Sequence, residues 1–242
     1  MQELAVLASR MLTTQRRFTA VSDNIANVNT QGFRKLELEF KESVSRPGTH
    51  ATASYVDDRA IHISTLPGAM VASNSPLDAA ISGDGFFAID VNGTNHYTRR
   101  GQFVINAEGT LSTPEGYPVL DNAGAQIQFP QGVTQIRIAS DGTISTEQGQ
   151  LAQLGVFNFS PEDLKMLERA GDTAFIPMMN AAALPVENPS VKQGFLEGSN
   201  VNAVTEMVNL QAVTQAYQSS IKMMQGVEDL ESRAIRSLGS GS

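Results

Sequence analysis

Apolar residues recur at heptad spacing at both ends of this chain, and that periodicity limits the possible folds more than any other feature. Near the N-terminus the positions are Leu4, Leu7, Met11, Thr14, Phe18, Val21, Ile25 and Val28, all apolar but Thr14. Toward the C-terminus, Met207, Leu210, Val213, Tyr217, Ile221, Met224, Val227, Leu230, Ala234 and Leu238 step by three or four residues. A narrow stripe of this kind buries itself against another helix rather than in a broad globular core. The pattern predicts long N- and C-terminal coiled-coil helices, the first over residues 3–29 and ended by Gly32.

Between the ends the punctuation changes. From Ile81 to Pro177 glycine falls at short, regular intervals with brief apolar runs between. Phe86 to Val91 reads as a strand, Asn92-Gly93 as a hairpin turn, and Tyr97 to Ile105 as the strand pairing back. Ile136-Arg137-Ile138 and Val156 to Phe159 read as further strands. Ser160-Pro161 opens a short helix that Gly171 closes. The expected fold is α+β, with a central antiparallel β-rich domain flanked by coiled-coil helices. The divisions are residues 1–35 (N-terminal helix), 36–80 (extended connector), 81–177 (β-domain), 178–202 (return connector) and 203–242 (C-terminal helix). Ser43 to Tyr55, rich in small and polar residues, reads as a loose arm. The Gly-Ser tail from Gly239 to Ser242 is expected to fray.

Charge and residue type exclude several function classes. The formal net charge is −8, which argues against nucleic acid as a partner. There is no cysteine, so disulfides, thiolate metal ligands and thiol nucleophiles are ruled out. His50, His62 and His96 show no metal-ligand spacing and read as surface or turn residues. Gly83-Asp84-Gly85 and Asp141-Gly142 read as turns rather than calcium loops. Arg99-Arg100 reads as a solvated pair on a strand. No catalytic residue, cofactor site or metal site is expected. Glu3, Arg10, Arg16 and Arg17 interrupt the early apolar residues, so neither a cleaved secretory signal nor direct membrane insertion is expected. Arg10, Arg16, Arg17, Arg34 and Lys35 make the N-terminal segment basic, whereas the C-terminal helix is slightly acidic. Opposite signs favour pairing of the two helices, within or between subunits.

Four blocks together resemble the bacterial flagellar basal-body rod and hook protein family. They are Asp23-Asn24-Ile25-Ala26-Asn27-Val28-Asn29-Thr30-Gln31-Gly32-Phe33; Leu77 to Phe87; Tyr97-Thr98-Arg99-Arg100-Gly101-Gln102-Phe103 with Asn106 to Leu111; and Leu196-Glu197-Gly198-Ser199-Asn200-Val201-Asn202 followed by Glu206-Met207-Val208. The chain has no room for the extra domain of hook members, and resembles the proximal-rod type, with the distal-rod type as the near alternative. The resemblance implies a non-catalytic rod subunit that transmits torque within a helical axial assembly. It implies other rod proteins and copies of itself as partners, and location in the periplasm-spanning rod of the basal body. Export would use the flagellar type III apparatus, without signal cleavage. The expected subunit interface is Leu4, Leu7, Met11, Phe18, Val21, Ile25, Val28, Met207, Leu210, Tyr217, Ile221 and Met224. A secreted oligomeric binding module is the alternative from another class, and a cell-wall enzyme a third. The former predicts a closed oligomer and the latter a pocket with a convergent acid–base pair.

Overall fold

The computed structural model describes residues 2–45, 53–171, 173–179 and 181–239. Helix α1 spans Gln2–Ala26 and helix α2 spans Ala203–Gly239. In chain order the strands between them begin with β1 (Leu36–Ser45), β2 (Ala53–Ile63), β3 (Met70–Ala72), β4 (Ala79–Ile81), β5 (Phe86–Val91) and β6 (Thr94–Thr98). They continue with β7 (Val104–Ile105), β8 (Leu111–Ser112), β9 (Ile136–Ile138), β10 (Thr143–Thr146), β11 (Gly149–Gln153) and β12 (Val156–Asn158). The last are β13 (Leu167–Ala170), β14 (Ala174–Pro177), β15 (Leu184–Pro185), β16 (Val191–Gln193) and β17 (Phe195–Glu197).

The chain divides into two compact units. One comprises Met1–Ile25, Leu36–Ile61 and Asn202–Ser242; the other comprises Ala26–Lys35 and His62–Val201. The sequence boundaries at 81 and 177 fall inside the second unit. The part of the loose arm at 46–52 lies outside the described residues.

The second unit is the β-rich body. Its largest sheet is antiparallel, in the order β13-β14-β6-β5-β12-β15. Strand β5 shows why its run is continuously apolar. Successive side chains leave a strand on opposite faces, and here both faces are covered. Phe87 and Ile89 enter one core with Phe103, Leu111, Val119 and Leu154. Phe86 and Ala88 enter another with Tyr97, Phe159 and Phe175. The Phe87 and Phe103 rings meet edge-on at 5.2 Å, and Phe86 meets Phe159 at 5.9 Å. The β5–β6 hairpin forms where expected. Asn92 and Gly93 both take positive φ, 55° and 82°, as a two-residue turn matched to strand twist requires.

The return strand is shorter than the sequence suggests. β6 ends at Thr98, because Arg99 turns into the interior and Gly101 backs against β4. A Cβ at Gly101 would lie 1.6 Å from the Ala79 carbonyl oxygen. The expected short helix after Ser160 is a single 3-10 turn, Asp163–Met166. Ser160 Oγ accepts the Asp163 amide at 3.1 Å, but Leu167–Ala170 then pairs with β14, so Gly171 closes a hairpin instead of a helix.

The expectation of flanking coiled coils is corrected. A single helix forms at each end, and among the described residues nothing shows the two wound around one another. The burial pattern gives the reason. A coiled-coil seam needs its apolar positions covered by a partner helix. Phe18 is 44% exposed and Met207 60% exposed, and both stand in the expected seams. Among the described side chains of α2 the deepest are Glu206, Val213 and Ser220, a line seven residues apart in which two of the three are polar. Helix α2 is capped by Asn202, whose Oδ1 accepts the Thr205 amide at 3.1 Å.

Candidate functional site

Three segments distant in sequence meet at a buried ion cluster in the body. Arg34 follows the turn at Gly32, Arg99 follows β6, and Glu197 ends β17. Relative exposures are 2%, 3% and 2%. Arg34 Nη2 stands 2.8 Å from Glu197 Oε1, and Arg99 Nη1 stands 3.1 Å from Oε2. Both guanidinium groups also donate to backbone carbonyls: Arg34 to Thr65 at 2.8 Å and to Leu66, Arg99 to Gly83 at 2.7 Å. Gly68 N–H adds a third donor to Glu197, at 3.0 Å. Arg169 closes the arrangement over the Phe33 ring at 4.3 Å and donates to the Arg34 carbonyl at 3.1 Å.

Burial pulls Arg34 down to about 10, opposed by the Glu197 carboxylate and reinforced by neighbouring Arg99. Arg99 is likewise lowered by burial, against the pull of Glu197 and Asp84. Both remain cations at neutral pH, so one carboxylate holds two desolvated charges. Such a cluster contributes little net stability when intact, yet removing its shared partner is severe.

Glycines make the meeting possible. A Cβ at Gly32 would fall 2.4 Å from the Arg100 amide nitrogen, and one at Gly68 would fall 2.0 Å from the Gly198 carbonyl oxygen. Asparagines bind the same segments. Asn200 accepts the Lys35 amide at 2.7 Å and donates to the Leu66 carbonyl at 2.7 Å. In the other unit, Asn24 brackets Leu36, donating to its carbonyl at 3.0 Å and accepting its amide at 2.9 Å.

The sequence reading missed this cluster. Arg34 counts there only as helix charge, and Arg99-Arg100 as a solvated pair. Arg99 is buried, while Arg100 forms a partly exposed ion pair with Glu115. The available signal was a glycine within two residues of each charge, in Gly32-Phe33-Arg34, Arg99-Arg100-Gly101 and Glu197-Gly198. His96 is also corrected: it is 8% exposed on β6, not a surface residue. His50 lies outside the described residues.

Burial pushes His96 below its ordinary value of 6.5, with Asp90 opposing. A lowered histidine leaves the unfolded chain with more protons as pH falls. The body is therefore expected to lose stability as pH drops below about 6.5, and the loss should level off below the folded-state value. Melting temperature followed across this window should show the slope, and His96→Gln should flatten it.

The expected interface residues lie on or beside the helices. Met11, Ile25, Val28, Leu210, Tyr217, Ile221 and Met224 are half-buried, Val21 is buried, and Phe18 and Met207 are exposed. The side chains of Leu4 and Leu7 lie outside the described residues. Among the described residues no acidic or histidine cluster could hold a metal ion, and no helix is long and apolar enough to cross a membrane.

Comparison with known proteins covers nearly the whole length. Residues 4–34 match the profile described as flagella basal body rod protein. Residues 80–146 match the flagellar hook protein FlgE/F/G D1 domain, and residues 192–237 the flagellar basal body rod FlgEFG protein C-terminal profile. A flagellar basal-body rod protein FlgF of Caulobacter vibrioides is 34% identical over 98% of this chain and 97% of its own. The FlgF of Rhizobium meliloti is 36% identical, again over 98% and 97%. A FlgG of Bacillus subtilis is 31% identical over 89% of this chain and 91% of its own.

Proposed function

Because the chain belongs to the flagellar basal-body rod protein family and is a structural subunit of that rod, we propose that it occupies the proximal rod and transmits torque through its terminal helices. In this reading Leu4, Leu7, Met11, Phe18, Val21, Ile25 and Val28, with Met207, Leu210, Tyr217, Ile221 and Met224, contact neighbouring rod subunits, including copies of this chain. The subunit travels without signal cleavage through the type III apparatus and stands in the periplasm-spanning part of the basal body.

One observation carries this reading. From Ala203 to Ile221 the only charged residue of α2 is Glu206, which is 1% exposed. Five turns of helix therefore present an uncharged surface, where a solvated face would be charged. Val204, Met207 and Val208 are 72%, 60% and 62% exposed. They stand at i, i+3 and i+4, so they form one apolar ridge. On α1, Leu12 and Phe18 are 61% and 44% exposed. Burying these surfaces needs partners, and a non-closing subunit contact repeated along an axis generates a rod.

Phe18→Asp and Met207→Asp test it in cells that lack the native subunit. Both side chains face water in the single chain, so folding and solubility should hold. In the assembly each would bury a carboxylate, at a cost of several kcal/mol or roughly a thousandfold in affinity. The expected result is exported, folded protein without rod completion or swimming. Normal motility from both variants would remove the helices from the interface.

A further inference from the structure

The chain contains a single Asn-Gly step, Asn92-Gly93. It forms the exposed turn between β5 and β6. After an asparagine, the next main-chain nitrogen can close a five-membered ring on the side-chain amide carbon. A side chain on that next residue obstructs the closure, and glycine has none. Nothing lies within 4 Å of the position a Gly93 Cβ would take, so the approach beside its nitrogen is open. Asn92 itself is exposed to water.

The reaction needs only water. Hydroxide removes the Gly93 amide proton, and Gly93 N bonds to Asn92 Cγ. The Cγ–Nδ2 bond then breaks, and that nitrogen takes a proton from water and leaves as ammonia. Water opens the resulting succinimide at either carbonyl, leaving aspartate or isoaspartate.

The fold opposes the first step. Gly93 N–H donates to Asp90 Oδ1 at 2.7 Å. A carboxylate is too weak a base to remove an amide proton, and its negative charge disfavours an amide anion beside it. Asp90 is held in place: its N–H donates to the Pro118 carbonyl at 2.8 Å, and Oδ2 accepts Gln126 Nε2 at 3.4 Å. We propose that Asn92 is a deamidation site of this protein, and that the Asp90 carboxylate restrains its reaction by holding the Gly93 proton. Asp90 is thus a positioning residue for a modification that the chain performs on itself. The product matters to the sheet. Isoaspartate adds one carbon to the main chain of a two-residue turn, where Val91 pairs with Thr94 and Ile89 with His96. Aspartate sets a second carboxylate two residues from Asp90. All of this belongs to the single chain in solution, whatever the subunit's place in the rod.

The test follows deamidation in the full-length protein and in its Asp90→Asn and Asp90→Ala variants, folded in mildly alkaline buffer. Peptide mass spectrometry locates each product and separates aspartate from isoaspartate. Asn74-Ser75, whose asparagine is also exposed, serves as the internal reference. In the folded state Asp90→Ala should raise the Asn92 rate about threefold or more, the worth of one hydrogen bond. Asp90→Asn keeps an acceptor oxygen without the charge, so its rate should fall between. The Asn74 rate should not change. In denaturant all three chains should react alike at Asn92, because the hydrogen bond is gone. Four outcomes overturn the proposal: no product at Asn92 in any of the folded proteins; equal folded rates with and without Asp90; an acceleration in Asp90→Ala that persists in denaturant; or an acceleration matched at Asn74 or by faster hydrogen exchange across β5 and β6, which marks a loosened hairpin instead of a freed proton.

Discussion

Glu197→Ala is expected to destabilise the β-rich body by about 3–5 kcal/mol, the cost of leaving buried charges without their partner. Two guanidinium groups, 2% and 3% exposed, share that one carboxylate. Neither can reach water without pulling its segment away, and Gly68 N–H loses its acceptor as well. Denaturant titration should show the midpoint falling while the slope is kept. Glu115→Ala provides the contrast. It breaks an ion pair whose members are 25% and 46% exposed, and exposed pairs contribute about 0–1 kcal/mol. Replacing all three cluster members by apolar residues of similar volume should recover much of the loss, because desolvation and attraction nearly cancel in the intact cluster.

Gly32→Ala is the second large effect. Its φ is +71°, a region that costs an L-residue about 1–2 kcal/mol. The added Cβ would also fall 2.4 Å from the Arg100 amide nitrogen and 2.7 Å from the Arg99 carbonyl carbon. Both obstacles are backbone, so the chain must move and the neighbouring ion cluster moves with it. Gly93→Ala separates the two causes. Its φ is +82°, yet nothing lies within 4 Å of the added Cβ. It should therefore show the conformational penalty alone, and Gly32→Ala should exceed it by at least about 1 kcal/mol. Equal losses would mean that Gly32 serves only its own turn.

That comparison shows how far the sequence was legible. Gly32 reads as a breaker, and that much is local, but α1 already ends at Ala26, and Gly32 takes its positive φ in the turn beyond it, where the Phe33 amide donates to the Thr30 carbonyl. Its other role, admitting the backbone of residues 99–100, depends on a contact across some seventy positions, and no local pattern encodes it. The strands at Phe86 to Val91 and Val156 to Asn158 and the Asn92-Gly93 turn were legible for the same local reasons. Arg99 was not. A basic pair on a strand is usually solvated, and only the pairing of β17 with β3 brings Glu197 to it. His96 shows the same limit, since its burial comes from partners across the sheet. The heptads located the helices but overstated their pairing. Periodicity marks a face that wants cover, and it does not say what supplies the cover.

The proposed interface residues were legible as apolar positions, but their exposure was not. Phe18 and Met207 stand open while Val21 and Val213 are buried, and spacing alone treats all four alike. The four sequence blocks were more informative than any composition figure. Three of them supply the charges of the buried cluster: Arg34 beside the first, Arg99 in the third and Glu197 in the fourth.

The absence of cysteine allows a direct measurement of whether the helix faces are covered in the rod. Phe18→Cys and Met207→Cys each introduce the only thiol of the chain, at positions 44% and 60% exposed. Labelling by a water-soluble maleimide should be fast on the single chain in solution. On purified basal bodies from motile cells it should be slower by at least about a hundredfold, as expected for sites at the dry centre of an interface. Denaturing the basal bodies should restore the fast rate. Equal rates on the single chain and on intact basal bodies would contradict assembly through these helices.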